Sequence, residues 1–507
     1  MKHLLEIARI VTKKKVKKIE IFDDHSLKQK NSRFNDFYEL LMNGSLHTDQ
    51  EAAQLLYDGR PTDDKYRQLK SRFKKRLLNT LFFLDINQSA TSSYNRAYYS
   101  CHRDWTLVKI LLSNKAEETG AQLARNILSV ALKFNFSDII VNTTRILRQH
   151  ASKAGNETAY EEYNTLCKKH NIVLHAEIEV EEHFQRISMW QHLPMYKLER
   201  YLARIEEHTI ALNRLQEQHH SPIIFYNCFL ANVFYQEALQ NYQKVYELCL
   251  EAEAHVEEHP RFYRADQMAE LAQKKLLALL HLGQFEEGYV QAEYYANLFE
   301  KHPVWLALME FYLLLTLHGK AYEKAHDVFR RVYSDKRFKT MEELEAAKWN
   351  SFEAYLCFLR WLENPHDSTK PKRYKQFRVK RFLEEPIIFP KQQRIFTIVL
   401  VIAQTLFLLE EKQWGKAFER IERLRDYAAR LLKPEEHYRT LQFIRLLQQL
   451  AKAQFDYDKI GVHLKYLDRL ETQMMHYRGH INDLEIIPYQ HLWNIVLNLS
   501  KQQVAEN

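Results

Sequence analysis

The chain has 507 residues and a formal net charge of +8, and 46% of its residues are hydrophobic, which is enough to bury a sizeable core. Glycine and proline together make up about 4% of the chain against a usual level of about 12%, so turn-forming residues are scarce and long helices are favoured over a sheet. The five cysteines lie far apart and form no Cys-x-x-Cys pair, which excludes a disulfide framework and a cysteine-rich zinc site and favours a reducing compartment.

Two apolar stretches bear on membrane association. The first nine residues carry charges inside their apolar run, which argues against a signal peptide. The most membrane-like stretch, Ile395 to Leu409, is shorter than the roughly 20 residues that span a bilayer, and it contains Thr397 and Gln404. We therefore expect a buried helix at 395–409, no membrane association and a cytoplasmic location.

Residues 1–90 are predicted to form a separate, mostly helical module. Thr48, with Glu51 three residues later, forms the capping-box pattern that opens a short helix. The predicted elements of this module are, in order, a short strand at 19–22, a helix at about 33–42, a helix from 49 to Tyr57, and a long helix that Thr62 or Asp63 caps and that runs to about Asp85.

The long helix at the end of this module has an apolar face and a basic face. The basic face holds four residues that we predict as nucleic-acid contacts: Arg67, Lys70, Lys74 and Lys75. Residues 1–90 contain 18 Lys or Arg and 12 Asp or Glu, so +6 of the net +8 lies here. A short helix, a turn and a basic helix resemble a helix-turn-helix module, although the turn is longer than usual. The alternative is a solvated basic face on a helix that caps the remaining chain.

From about residue 100 onward, one pattern recurs: an aromatic residue followed by small or apolar residues three, seven and ten positions later. This spacing follows one face of a helix, and the small residue lets the preceding helix approach closely. The repeat intervals are 43 residues from Tyr242 to Phe285, 37 from Phe285 to Tyr322, and 43 from Trp414 to Tyr457. The predicted signature residues are Phe136, Tyr242, Phe285, Gly319, Tyr322, Ala325, Phe329, Trp414, Ala417 and Tyr457.

The stretch with Gly319, Tyr322, Ala325 and Phe329 resembles the tetratricopeptide repeat family, whose units place a glycine and an aromatic residue at the turn and small or aromatic residues on the second helix. The resemblance implies stacked helix pairs that bind a protein or peptide. This chain departs from the family in its period, which is longer than about 34 residues. A generic helical bundle is the alternative.

A second basic stretch lies between Lys370 and Arg381, inside an irregular region near 364–391, where basic residues alternate with aromatic ones. Such a mixture suits phosphate and base contacts, and a surface loop followed by a helix has the same composition. The predicted nucleic-acid contacts here are Lys372, Arg373, Lys375 and Arg378.

Two short patterns match catalytic motifs. His255 to His259 has the His-x-x-Glu-His spacing of inverted zinc peptidases, but no third ligand can be assigned. Arg-x4-6-His, the pattern of the all-helical HEPN ribonucleases, is seen for example at 145–150, 214–219 and 430–437, but chance produces several such pairs in a chain with 24 histidines. We predict no enzyme activity, no metal and no cofactor.

The sequence thus predicts an all-α protein with a basic N-terminal module at 1–90 and a tetratricopeptide-like α-solenoid at 91–507. The leading functional hypothesis is a non-enzymatic scaffold or adaptor that binds a protein or peptide on the helical-repeat surface. The alternative is a nucleic-acid-binding regulator, in which the N-terminal module contacts DNA and the repeats sense a partner. The sequence leaves the oligomeric state and the identity of the partner open.

Overall fold

The computed structural model describes most of the chain, and the described part is helical, with no strand. The described residues are 33–43, 45–81, 93–363, 377–384, 394–456, 464–475, 477–479 and 484–506, with single positions at Leu4, Leu5, Ile7, Phe389 and Lys459. The all-α prediction is confirmed for these residues, whereas the solenoid arrangement stays a prediction.

The chain divides into two compact units, unit 1 (Met1–Leu174) and unit 2 (His175–Asn507). The division falls inside one long helix, α7 (Glu157–Ser188). The helices that begin in unit 1 are α1 (Arg33–Met42), α2 (Asp49–Tyr57), α3 (Asp64–Thr80), α4 (Ser93–Ser113), α5 (Glu117–Phe134), α6 (Ser137–Lys153) and α7 (Glu157–Ser188).

Helices α1 to α3 share an apolar core, in which Phe37, Tyr66 and Phe73 are the largest buried side chains. The predicted bounds of α1 and α2 are confirmed, and α2 has the predicted capping box: Thr48 Oγ1 accepts a hydrogen bond from the Glu51 amide, and Glu51 accepts one from the Thr48 amide.

Three predictions for this module lie partly or wholly outside the described residues. Helix α3 begins after Asp63, as predicted, and its described part ends at Thr80. The predicted helix end at Asp85, the domain boundary near residue 90 and the strand at 19–22 lie outside the described residues.

Unit 2 consists of helices that pack against their neighbours in sequence, around one large apolar core and a smaller one. Short 3₁₀ turns lie at 199–201, 260–262 and 336–340. The helices of unit 2 are α8 (Met195–Leu198), α9 (Leu202–Gln218), α10 (Pro222–Ala238), α11 (Tyr242–Glu258), α12 (Ala265–Leu282), α13 (Phe285–Leu298), α14 (Trp305–His318), α15 (Tyr322–Tyr333), α16 (Glu343–Glu363), α17 (Val379–Glu384), α18 (Arg394–Glu410), α19 (Trp414–Leu431), α20 (Tyr438–Lys452), α21 (Leu464–Thr472) and α22 (Tyr489–Glu506).

One turn conformation joins the two helices of most pairs. In each case a residue with positive φ lies two positions before the second helix, as Gln240, Gly283, Lys320 and Lys412 do before the helices that start at an aromatic residue. Most of these residues are not glycine, because one left-handed residue costs only about 1–2 kcal/mol. This tolerance explains why a glycine is found at so few of the predicted turns.

Gly319 has another reason to be glycine. Its φ of −79° suits any residue, but an added Cβ would lie 2.9 Å from Phe285 Cβ and 1.9 Å from the Tyr289 hydroxyl. Helices α13 and α14 therefore approach each other closely at Gly319.

Helix α18 covers the apolar stretch at 395–409, and the side chains described from Ile395 to Leu409 are buried, as predicted. Within the described part of the chain, no helix combines the length and the apolar character needed to cross a membrane.

Candidate functional site

Two histidines occupy the same position in successive helix pairs of unit 2. His281 lies four residues before Phe285, near the end of α12, and His318 lies four residues before Tyr322, at the end of α14. The His281 ring stacks on Tyr242, one of the predicted signature residues, with a centroid distance of 3.8 Å. The repeat itself therefore fixes where these imidazoles point.

Both histidines bind main-chain carbonyl groups of a non-helical segment near the C-terminal helix. We call this segment the strap; it consists of residues 477–479 and 484–487. His281 Nε2 lies 2.6 Å from the Tyr477 carbonyl oxygen, and His318 Nε2 lies 2.8 Å from the Glu485 carbonyl oxygen. A carbonyl oxygen only accepts, so each imidazole donates from Nε2. Burial lowers the pKa of His318 to about 4, which keeps this ring neutral.

The Tyr477 side chain is held in the core by its hydroxyl and its ring. The hydroxyl donates to Glu310 of α14, and the ring lies 6.1 Å from that of Phe311. Glu310 also accepts a hydrogen bond of 2.5 Å from Lys348 of α16. Burial disfavours the charged form of Lys348, but the carboxylates of Glu310 and Glu345 outweigh it and raise the pKa of Lys348.

Arg439 of α20 links the strap to the chain that precedes it. Its guanidinium pairs with both carboxylate oxygens of Glu485 in the strap and donates to the carbonyl groups of Leu470 and Gln473. The Glu485 side chain is buried, with 6% exposed, and 11% of the Arg439 side chain is exposed. Because one guanidinium binds groups of the strap and of the preceding segment, it fixes the path of the chain there.

The four large apolar side chains of the strap complete the core of unit 2. Tyr477, Leu484, Ile486 and Ile487 are each at most 5% exposed. We call five polar side chains the strap surface: His281, Glu310, His318, Lys348 and Arg439. These polar groups are surrounded by apolar packing.

The strap surface was not predicted from the sequence. The predicted signature residues are structural: Ala325, Phe329 and Ala417 are buried between helices, and Trp414 packs against Phe455. Aligning the repeats on their aromatic residues and comparing the position four residues earlier would have singled out the two histidines.

Two predicted signature residues differ from the others. Phe136 lies one position earlier relative to its helix than the other aromatic residues do, and Tyr457 lies outside the described residues.

On the basic helix α3, the four predicted nucleic-acid contacts are not equivalent. Lys70 donates to Asp49 at 2.6 Å, and Tyr66 donates to the same carboxylate oxygen. Burial alone would raise the pKa of Asp49, but these hydrogen bonds lower it well below its usual range. Arg67, Lys74 and Lys75 are exposed. Lys70 therefore has a structural contact within the module, and three exposed cations are left on this face.

Of the second basic stretch, only the end is described. Arg378 is exposed, whereas Lys372, Arg373 and Lys375 lie outside the described residues.

The residues of the zinc-peptidase pattern take part in aromatic packing. The His255 ring stacks on Phe225 at 3.7 Å and meets the His259 ring edge to face at 5.0 Å. Burial lowers the pKa of His255. Among the described residues, no group of three or more His, Cys, Asp or Glu side chains could hold a metal ion.

The arginines of the three Arg-x4-6-His pairs lie on different helices. Arg145, Arg214 and Arg430 are exposed on α6, α9 and α19, and His150 bonds to Glu118 at 3.0 Å.

Comparisons with protein family models, with curated proteins and with solved structures found no match to this chain.

Proposed function

We propose that this chain is a non-enzymatic scaffold that binds a protein partner on the helical pairs of unit 2. The observation that carries this proposal is the strap: His281 of α12 and His318 of α14 bind main-chain carbonyl groups of this non-helical segment, and Arg439 of α20 pairs with its Glu485 carboxylate. Surfaces that recognise the main chain can bind a peptide without requiring one particular sequence.

The rigidity of the surface supports the same function. His281 is stacked on Tyr242, and Lys348 is paired with Glu310, so these donors and acceptors are already oriented. Groups that are held in place lose little conformational entropy on binding, so more of the interaction free energy appears as affinity.

Affinity purification from native lysate, with and without nuclease treatment, tests this function. We expect the full chain to retain specific proteins after nuclease treatment, and His281→Ala to retain less of them. The matched control is His150→Ala, which changes a histidine of unit 1 that bonds to Glu118. Recovery that disappears completely with nuclease would reject the scaffold function.

A second candidate function rests on the exposed cations of α3. If the N-terminal module binds duplex DNA through Arg67, Lys74 and Lys75, the affinity should fall with salt with a log–log slope of about −2.7, from about −0.9 per neutralised phosphate. Lys74→Ala with Lys75→Ala should then reduce the slope to about −0.9. No binding of the wild type at low salt would eliminate this function.

A further inference from the structure

We propose that the strap is an internal competitor, and that the strap surface recognises a non-helical partner segment that carries a tyrosine where Tyr477 lies. This inference rests on the scaffold function and names the chemistry of the partner. The partner segment needs no free terminus, because the strap is itself bound in the middle of a chain.

The polar character of the strap surface is the first argument. A surface that is covered permanently is usually more stable when it is apolar, because buried charges lose their hydration. Here the strap binds Glu310, which is paired with Lys348, and two imidazoles on α12 and α14. These groups suit a surface that exchanges one covering segment for another and meets water in between.

The kind of contact is the second argument. The two imidazoles bind carbonyl oxygens of residues 477 and 485, which any non-helical segment offers. The Tyr477 side chain, by contrast, makes a specific contact, since its phenol combines a ring for Phe311 with a hydroxyl donor for Glu310. Main-chain contacts thus supply general affinity, and the tyrosine supplies selectivity.

The strap and a partner compete for the same surface. The four buried side chains hold the strap firmly, so a partner in solution meets a surface that is open for only a small fraction of the time. The apparent affinity is reduced by that fraction. Weakening the strap should therefore increase partner binding, whereas damage to a true partner site would decrease it.

A synthetic peptide with the sequence of residues 473–488, labelled with fluorescein, is the probe. It is titrated against the full-length chain, and binding is followed by fluorescence anisotropy. Wild type should give no saturable signal at micromolar concentration. Tyr477→Ala should bind the peptide, because the strap that competes with it is weakened by about a hundredfold or more. The same peptide with phenylalanine in place of tyrosine should bind at least about tenfold more weakly, since it cannot donate to Glu310.

Tyr263→Ala is the matched control. Tyr263 is also a buried tyrosine of unit 2, and it packs against Phe225 and His255 rather than against the strap. This variant should behave as the wild type does. Equal peptide binding by Tyr263→Ala and Tyr477→Ala would show non-specific association and overturn the proposal.

Tyr477→Phe keeps the buried ring and guards against loss of folding in Tyr477→Ala. It should bind the tyrosine peptide, but less tightly than Tyr477→Ala does, because its strap has lost only the bond to Glu310. If both variants retain their helical circular dichroism and neither binds the peptide, the strap is a fixed part of the core and the proposal is wrong. The scaffold function would survive that result, because nuclease-resistant protein partners are measured separately.

Discussion

Arg439→Met should loosen the strap and the C-terminal helix more than any change of an exposed arginine. The variant leaves the Glu485 carboxylate buried without its cation and removes the donor to the Leu470 and Gln473 carbonyl groups. Breaking one side of a buried ion pair costs about 3–5 kcal/mol. Since each 1.4 kcal/mol is a factor of ten, amide exchange in residues 484–492 should accelerate by about a hundredfold to several thousandfold.

Hydrogen–deuterium exchange is the suitable measurement, because a chain with two compact units need not unfold in a single transition. The matched control is Arg425→Met: Arg425 pairs with Glu422 and Asp426 on the surface, with 50% of its side chain exposed, and should change stability by less than about 1 kcal/mol.

A double variant separates the buried charge from the lost packing. Adding Glu485→Gln to Arg439→Met removes the unpaired carboxylate, so much of the protection should return. If Arg439→Met accelerates exchange by less than tenfold, the ion pair does not hold the strap and our account of the strap is wrong.

Three further predictions concern other parts of the chain. Gly319→Ala should destabilise unit 2 by about 1–3 kcal/mol in urea denaturation, because its Cβ clashes with Phe285 and Tyr289. Gly415→Ala should stabilise unit 2 by about 0.5–1 kcal/mol in the same measurement, because its Cβ meets nothing within 4 Å. Because burial lowers the pKa of His318 in the folded chain from 6.5 to about 4, the unfolded chain takes up a proton first as the pH falls. The free energy of unfolding of unit 2 should therefore be about 2 kcal/mol lower at pH 5 than above pH 6.5. His318→Gln should lack this share of the pH dependence between pH 6.5 and 4. Lys70→Ala should destabilise unit 1 by about 1 kcal/mol in thermal unfolding, whereas Lys74→Ala should change it by less than about 0.5 kcal/mol, and equal effects would contradict the structural contact to Asp49.

Features that depend on neighbouring residues could be predicted from the sequence. The scarcity of glycine and proline indicated helices, the pair Thr48 and Glu51 marked the start of α2, and aromatic residues such as Tyr242 and Trp414 marked the start of second helices. Each of these signals acts within one or two helical turns, where backbone hydrogen bonds and side-chain spacing repeat every 3.6 residues.

The strap and its binding surface were decided by the tertiary structure alone. His281 and the Tyr477 carbonyl are separated by 196 residues in sequence, and His318 and the Glu485 carbonyl by 167. A non-helical segment has no periodic pattern, and a carbonyl oxygen is present in every residue, so the sequence contains no sign of either partner. Lys70 illustrates the same limit on a smaller scale, because only folding brings Asp49 from the preceding helix to its ammonium group and turns a predicted phosphate contact into an internal ion pair.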